Sequence, residues 1–545
     1  MFSRQFSTLF VCALAVAFLV AMPILSISFN LVAGGTAQTW SHLLATVLPE
    51  YLLNSLWLCL GVGIGVALLG VTTAWLTAMH QFPGQRFFEW ALVLPLAMPA
   101  YVLAYLYTDL LQFVGPVQTA LRDWTGWSYG DYWFPDIRTL PGAVLMFVAV
   151  LYPYVYLIAR TAFLERAGGM LEAARMLGMG PWAAFFKVSL PLARPAIVAG
   201  MALALMETLA DYGTVAYFAV NTFTTGIYRA WFSLGDRVAA AQLAMVLLSG
   251  VLLLLLLEQF SRGRARYHNT SQRHRPGHRI PLRGWSAGLA FGACALPVCV
   301  GFLLPAALLL RMSLTEGDAQ FGERFIRLAG NSMTLAGMTA LLAVGLAVLL
   351  AYSARFSKHA LARGVNRIVG LGYAVPGSVI AVGVLIPVTR LDNWLALQWV
   401  AWFGKNPGLL LTGGIAALVY ACLVRFLAVA LHTVESSLSK ITTSMDDAAS
   451  SLGLGRIATL RQVHVPLLRG SLLTAGLLVF VDVMKELPAT LVMRPFNFDT
   501  LATQTFTLAS DERLAEASTA ALAIVVVGLL PLIMLTRQIT ASRRA

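Results

Sequence analysis

Charged residues are scarce in this chain. Asp, Glu, Lys and Arg make up 12% of its 545 residues, and 59% are hydrophobic, whereas soluble domains usually carry about a quarter charged residues. The hydrophobic residues fall in runs of about 20 or more, the length that a helix needs to cross roughly 30 Å of hydrocarbon. These unbroken runs exclude a soluble globular protein. They also argue against a membrane β-barrel, whose strands alternate apolar and polar residues.

Residues for covalent or nucleotide chemistry are also missing. The five cysteines all fall within apolar runs, which predicts small buried residues rather than disulfides or nucleophiles. The sequence contains no GxxxxGK[ST] phosphate loop. No Ser/His/Asp or Cys/His arrangement stands out either. The sequence therefore predicts that the chain is not an enzyme and binds no cofactor itself, and it leaves open whether a metal is bound.

Positive charge is concentrated in one short segment. Between Ser261 and Gly284 there are seven arginines, three histidines and no acidic residue. Short basic loops stay on the cytoplasmic side of a membrane during insertion. We therefore interpret residues 261–285 as a cytoplasmic linker and predict no nucleic-acid partner.

Twelve candidate spans follow from the hydrophobic runs: 8–29, 51–78, 91–111, 142–164, 196–218, 239–258, 286–311, 332–354, 368–389, 409–432, 471–491 and 517–536. This even number, together with the basic linker on the cytoplasmic side, predicts a multi-pass protein with both termini in the cytoplasm. The predicted fold is an all-α polytopic membrane protein of two parallel six-span halves. We place the first half at residues 1–260, with its core at about 48–258. The second half is placed at 286–545, with its core at about 327–537.

One polar motif occurs twice at a constant distance of 275 positions. It lies between the fourth and fifth spans of each half, where Gly and Pro interrupt the apolar pattern. The segment after the interruption, Trp182 to Leu190 in the first copy, is predicted to be a short helix with an exposed apolar face. The first copy consists of Glu172, Ala173, Ala174, Gly178 and Pro191, and the second of Asp447, Ala448, Ala449, Gly453 and Pro466.

The repeated motif resembles the EAA loop of bacterial ABC-importer permeases. The second copy departs from that pattern by Asp447 in place of Glu. The resemblance covers nearly the whole chain, as two type-I (MetI-like) permease domains fused in one polypeptide of the bacterial inner membrane. It implies that each loop seats a coupling helix on one subunit of a cytoplasmic ABC ATPase homodimer. ATP would then be used by that partner, and a periplasmic binding protein would deliver the substrate.

Acidic residues also repeat inside the membrane. Glu207 and Asp211 in span five match Asp482 and Glu486 in span eleven, 275 positions later. The i,i+4 spacing predicts that both carboxylates of each pair lie on one helix face. One interpretation is a substrate path lined by four carboxylates, suited to hard cations. The alternative is a structural role, with the acids paired to Lys485, Arg425 or backbone groups.

The segments around these acids, Met206–Val215 and Val481–Leu491, resemble ferric-iron importer permeases. This narrower resemblance implies ferric iron as the substrate. An importer for another small solute, such as thiamine or a phosphonate, remains an alternative. A secondary transporter driven by an ion gradient is the alternative from another class.

Overall fold

The computed structural model describes residues 2–32, 41, 44–128, 130–262, 279–315, 322–356 and 360–541. Most of the predicted linker, residues 263–278, lies outside the described residues. We call the chain before the linker the first half and the chain after it the second half.

The helices of the first half run in chain order as α1 (Phe2–Val32), α2 (Leu48–Met79), α3 (Gln85–Ala91), α4 (Ala100–Leu111), α5 (Pro116–Thr125), α6 (Leu140–Met176), α7 (Pro181–Ala184), α8 (Leu190–Ala210), α9 (Gly213–Tyr217), α10 (Phe223–Tyr228) and α11 (Arg237–Arg262). A 3₁₀ turn covers Leu94–Ala97, and π turns cover Phe185–Ser189 and Arg229–Ser233.

The helices of the second half are α12 (Trp285–Val298), α13 (Leu304–Thr315), α14 (Glu323–Phe356), α15 (Ala360–Gly370), α16 (Gly377–Phe403), α17 (Ala416–Leu438), α18 (Thr443–Ser451), α19 (Arg456–Thr459), α20 (Val465–Met484), α21 (Pro488–Met493), α22 (Leu501–Ser510) and α23 (Leu514–Ala541). A 3₁₀ turn covers Leu371–Ala374, and π turns cover Cys299–Leu303 and Leu460–His464.

The helices are long enough to form the predicted membrane spans. Eleven segments of the described chain are long and apolar enough to cross a membrane, and a twelfth is obtained when one sharply bent pair is counted as a single span. The predicted fold class, an all-α polytopic membrane protein, is confirmed.

The bent pair shows how proline shapes a span. Residues Gln85–Ala97 and Ala100–Thr125 meet at an angle of 90°, and Pro99 lies at the break in an extended conformation. Proline has no N–H to donate to the preceding turn and disfavours helix in the residue before it, so the helix stops and restarts. The second half repeats this arrangement at Pro376, which precedes α16 after a 3₁₀ turn.

The predicted tenth span begins too early. Residues 409–432 were expected to be helical, but α17 begins only at Ala416. The buried carboxylate of Asp392 accepts hydrogen bonds of 2.7 to 3.2 Å from the backbone N–H groups of Leu410, Leu411 and Thr412. These bonds hold the residues before α17 as a loop against α16, because they satisfy N–H groups that a helix would otherwise use.

The first helix of each half packs against the other half. Tyr420 in α17 donates a hydrogen bond from its hydroxyl to the carbonyl of Leu19 in α1, at 2.5 Å. In the reverse direction, Tyr107 in α4 donates to the carbonyl of Val300, between α12 and α13, at 2.7 Å. The two halves are therefore interlocked rather than placed side by side. The predicted domain boundaries stay a prediction.

A short parallel strand pair departs from the all-helical architecture. β1 (His80–Gln81) follows α2, and β2 (Ile280–Pro281) lies near the end of the linker. Next to this pair, Glu89 forms ion pairs with Arg279 at 3.0 Å and with Arg160 at 3.1 Å. These contacts fix the end of the linker, just before the second half, to the first half.

Candidate docking segments and translocation path

The two copies of the repeated motif fold alike. We call residues 172–191 the first docking segment and residues 447–466 the second. Helix α6 ends at Met176 and α18 ends at Ser451, and each is followed by a left-handed glycine: Gly178 has φ +80° and Gly453 has φ +79°. The predicted interruption of the helix is confirmed. Glycine is favoured at this position because an L side chain strains a backbone with positive φ.

Matching hydrogen bonds close both turns. The N–H of Met179 donates to the carbonyl of Ala174 at 3.1 Å, and the N–H of Leu454 donates to the carbonyl of Ala449 at 3.0 Å. This six-to-one bond is typical of a Schellman C-cap. Ala174 and Ala449 are both buried, so the small alanine of the motif lies where the turn packs on the bundle.

After the turn, each docking segment continues into a membrane helix. The helix predicted at Trp182 to Leu190 is present, but it is not short, because α7, a π turn and α8 form one continuous helical path. The second half has the same order, with the π turn at Leu460–His464 before α20. Pro191 and Pro466 follow these π turns within the first helical turn. Proline has no backbone N–H to donate to the preceding turn. The wider π turn accommodates this missing hydrogen bond.

Large apolar side chains project from both docking segments. Leu177 and Leu452, which are 275 positions apart, are 82% and 81% exposed, and the equivalent pair Trp182 and Ile457 is 75% and 60% exposed. Exposed apolar groups in this arrangement form candidate interaction surfaces. Glu172 and Ala173 lie in α6, and Asp447 and Ala448 are exposed on α18.

The second docking segment has an anchor that the sequence analysis missed. Arg355 at the end of α14 donates to Asp446 at 2.9 Å and to the carbonyls of Leu438 and Ile441 at 2.7 and 2.9 Å. The buried His464 lies 2.8 Å from the same Asp446 carboxylate. The only signal in the sequence is Asp446 itself, one residue before the motif.

Both docking segments lie at the same end of the bundle. The rings of Trp75 near the end of α2 and Phe185 in the first segment are 4.7 Å apart, and β1, which follows α2, pairs with β2 near the end of the linker. After that strand, α12 and α13 together form one candidate span and α14 forms the next, so the end of α14 is expected on the same side as β2. Arg355, near the end of α14, contacts the second segment. The two segments thus form a pair of similar surfaces facing one side.

A cavity of about 110 Å³ lies between the two halves. All four carboxylates predicted for the substrate path, Glu207, Asp211, Asp482 and Glu486, line it. Two cationic side chains, Arg425 and Lys485, also line it, as do Tyr101, Tyr154 and Tyr373. The repeat therefore brings the four acids together.

Their placement differs from the predicted helix face. Helix α8 ends at Ala210 and α20 ends at Met484, so Asp211 and Glu486 lie beyond the helices. The expectation that each pair shares one helix face is wrong, because the unwound chain redirects the second acid of each pair. Whether these acids act on the substrate stays a prediction.

Asp211 and Glu486 each cap the short helix that follows. Asp211 accepts from the N–H groups of Thr214 and Val215 at 2.8 and 3.3 Å. Glu486 accepts from the N–H groups of Ala489 and Thr490 at 2.9 and 3.0 Å. A carboxylate at a helix N-terminus satisfies orphan N–H groups, which supports a structural role for this pair.

Glu207 and Asp482 have different partners although they are equivalent in the repeat. Glu207 accepts from the Tyr373 hydroxyl at 2.7 Å and lies 3.6 Å from Arg425 Nη2, and both partners belong to the second half. Asp482 pairs with Lys485 of its own half at 2.9 Å. Tyr373 was not identified from the sequence, because a single tyrosine in an apolar run carries no pattern. Within the described residues, no group of three or more His, Cys, Asp or Glu side chains is arranged to hold a metal ion.

Comparison with known proteins identifies the family to which the chain is similar. Residues 66–266 match the family described as binding-protein-dependent transport system inner membrane component. The chain is 26% identical to the Fe(3+)-transport system permease protein FbpB 2 of Haemophilus influenzae over 522 residues, or 95% of each protein. It is 31% identical to the molybdenum transport system permease protein ModB of Escherichia coli over 198 residues, which is 35% of this chain and 83% of that protein.

A solved structure is also similar, with a TM-score of 0.36 and 17% identity. It is the crystal structure of a bacterial alginate ABC transporter in complex with alginate pentasaccharide-bound periplasmic protein, and the match covers 47% of this chain and 96% of that chain. The family match includes the first docking segment, and the 31% identical permease is matched over most of its length. The chain therefore belongs to the inner-membrane components of binding-protein-dependent transport systems, as an ABC-importer permease that fuses two permease domains in one polypeptide.

Proposed function

We propose that this permease imports ferric iron. The observation that carries the proposal is the cavity between the halves, where four carboxylates face two cationic side chains. Carboxylate oxygens are the preferred ligands of hard cations. The Fe(3+) permease that is 26% identical matches this chain over 95% of both lengths, which supports the same substrate class.

A separate ATPase supplies the energy in this proposal. The paired apolar residues Leu177 and Leu452, together with Trp182 and Ile457, suit a two-fold partner that offers one groove to each docking segment. We assign this role to a cytoplasmic ABC ATPase homodimer that binds and hydrolyses the ATP. This chain then needs no bound cofactor of its own.

The location of the docking segments sets the proposed orientation. If the docking end faces the cytoplasm, twelve spans place both the N- and C-termini there as well. The opposite face then receives substrate from a periplasmic binding protein. Transport proceeds by alternating access, in which ATP-driven movement of the docking segments opens the cavity first to one side and then to the other.

A second candidate substrate is an oxyanion. Molybdenum and sulfate transport permeases also match parts of this chain, and Arg425 and Lys485 could bind an anion in the same cavity. Lys485 is already paired with Asp482 and Arg425 lies near Glu207 and Glu486. The surplus of acids over cations favours the cationic substrate.

Uptake measurements distinguish these substrates. Cells that lack their own iron importers would express this chain with its ATPase and binding protein, and uptake of radiolabelled ferric iron and molybdate would be compared. We expect ATP-dependent iron uptake that falls at least tenfold in Glu207→Gln. Uptake of molybdate without uptake of iron would show that the substrate is an oxyanion and not ferric iron. Uptake driven by an ion gradient without ATP would contradict the ATP-driven mechanism.

The docking proposal has its own experiment. Trp182→Asp combined with Ile457→Asp places a charge on the exposed apolar surface of each segment and is expected to abolish co-purification of the ATPase. The matched control is Trp133→Asp, because Trp133 is 86% exposed in the loop that precedes α6, at the end opposite the docking segments. Equal ATPase recovery in the double variant and the control would refute docking at these surfaces.

A further inference from the structure

One buried guanidinium links the two halves inside the cavity. Arg425 in α17 is 7% exposed. Its Nη2 lies 3.6 Å from Oε2 of Glu207 in the first half, and its Nη1 lies 3.5 Å from Oε1 of Glu486 in its own half. The Tyr373 hydroxyl, also from the second half, donates to the other oxygen of Glu207 at 2.7 Å. Glu207 is thus held from across the interface by two groups.

The contacts of Arg425 are loose for a buried cation. Charge-assisted N–H···O bonds are usually about 2.7–2.9 Å long, and both contacts here exceed that length. Among the described residues, no hydrogen-bond partner is found for the buried Nε of Arg425. A buried charge with incomplete hydrogen bonding is costly, and the Glu207 side chain is 28% exposed, so its carboxylate is accessible to a competing cation.

Only one of the two equivalent acids bridges the interface. Asp482 corresponds to Glu207 in the repeat, but it pairs with Lys485 three residues further along its own half. Both cations of the cavity, Arg425 and Lys485, come from the second half. Inside the cavity, the charged contact between the halves is therefore asymmetric and depends on Glu207 and Arg425.

We propose that the contact between Glu207 and Arg425 is a latch between the halves, which a cationic substrate releases by competing with Arg425 for the Glu207 carboxylate. The release by a cationic substrate rests on the proposed function. A cation bound to Glu207 repels the guanidinium, which retains its contact with Glu486. The halves then lose their charged contact inside the cavity, and their equilibrium shifts toward separation.

Distance measurements on the full-length chain test the latch without any partner. Spin labels are attached at Trp133→Cys and Phe496→Cys, in loops of opposite halves that are 86% and 95% exposed, after the five native cysteines are replaced by alanine. Pulsed electron paramagnetic resonance in lipid nanodiscs then reports the distance between the halves. We expect Arg425→Met to increase the population of longer distances at least fivefold, relative to the spin-labelled chain that retains Arg425.

Arg160→Met is the matched control. The Arg160 side chain is 9% exposed, as is that of Arg425, but its ion pair with Glu89 lies within the first half. An unchanged distance distribution in Arg425→Met, or an equal change in Arg160→Met, overturns the latch. If Arg425→Met does not fold, Glu207→Gln removes the same contact from the other side and is judged by the same outcomes.

Gallium(III), a diamagnetic trivalent cation, tests the release step. We expect it to lengthen the distance with Glu207 intact and to have no effect in Glu207→Gln. A response to Arg425→Met without any response to gallium leaves the latch standing but overturns release by a cation. Failure of iron uptake in cells, with the gallium response present, counts against the proposed substrate and not against the latch.

Discussion

Asn54 donates a hydrogen bond from its side-chain amide to the backbone carbonyl of Asn221 at 2.9 Å. The second half repeats this bond between Asn331 and the carbonyl of Asp499, also at 2.9 Å. Each bond ties the start of a long membrane helix, α2 or α14, to the chain segment beyond the cavity. The two-fold repeat therefore extends to individual side-chain interactions outside the docking segments.

We expect Asn54→Ala and Asn331→Ala each to lower the free energy of unfolding by about 1–2 kcal/mol, because a partly buried carbonyl loses its donor. The two sites lie in different halves, so the effects should add in the double variant. Thermal unfolding in detergent measures this. A destabilisation confined to one half would contradict the equivalence of the two bonds.

The left-handed glycines of the docking segments give a second prediction. Gly178→Ala and Gly453→Ala should each strain the turn by about 1–2 kcal/mol, because both positions have positive φ. No neighbouring atom within 4 Å would meet the added methyl group at either glycine, so the cost is one of backbone conformation. We expect a roughly tenfold weaker association with the ATPase, measured by titration of the purified permease.

Gly180→Ala is the matched control for this prediction. Gly180 also has no atom near its added methyl group, but it does not share the positive φ. Equal loss of association in Gly180→Ala and Gly178→Ala would mean that the left-handed conformation is not what matters.

The four acids of the cavity should separate into two classes. Asp211→Asn and Glu486→Gln remove charged acceptors from capping N–H groups, and each should destabilise the protein by about 1–3 kcal/mol. Glu207→Gln should reduce iron uptake and cost less thermal stability than these two variants, because its side chain is 28% exposed and Arg425 keeps its contact with Glu486. Full stability of Glu486→Gln together with abolished uptake would instead assign Glu486 to the substrate path.

The overall architecture could be predicted from the sequence because it depends on long apolar runs and on a repeated motif. The constant spacing of 275 positions placed Gly178 and Gly453 at equivalent turns, and the structure gives both the same backbone conformation. Such features are local, since a left-handed turn is determined by a few adjacent residues. The segment boundaries were less accurate where a distant side chain decides them, as Asp392 does before α17.

The cavity could be predicted only in part for the same reason. The register of the repeat identified four acids, but it could not show that α8 and α20 end before Asp211 and Glu486. It also could not place Tyr373 next to Glu207, because that contact joins residues far apart in sequence and in different halves. Tertiary contacts between halves leave no spacing pattern in a single sequence.

The anchor of the second docking segment gives the last prediction. Arg355 bonds Asp446 and the backbone carbonyls before α18, so Arg355→Met should remove these bonds, leave Asp446 with His464 alone and loosen the second segment. We expect hydrogen exchange of residues 443–451 to become at least tenfold faster. The first segment is the internal control, because the position equivalent to Asp446 is Leu171, which cannot form this ion pair. If exchange in residues 171–180 increased equally, Arg355 would be acting on the whole bundle and not on one segment.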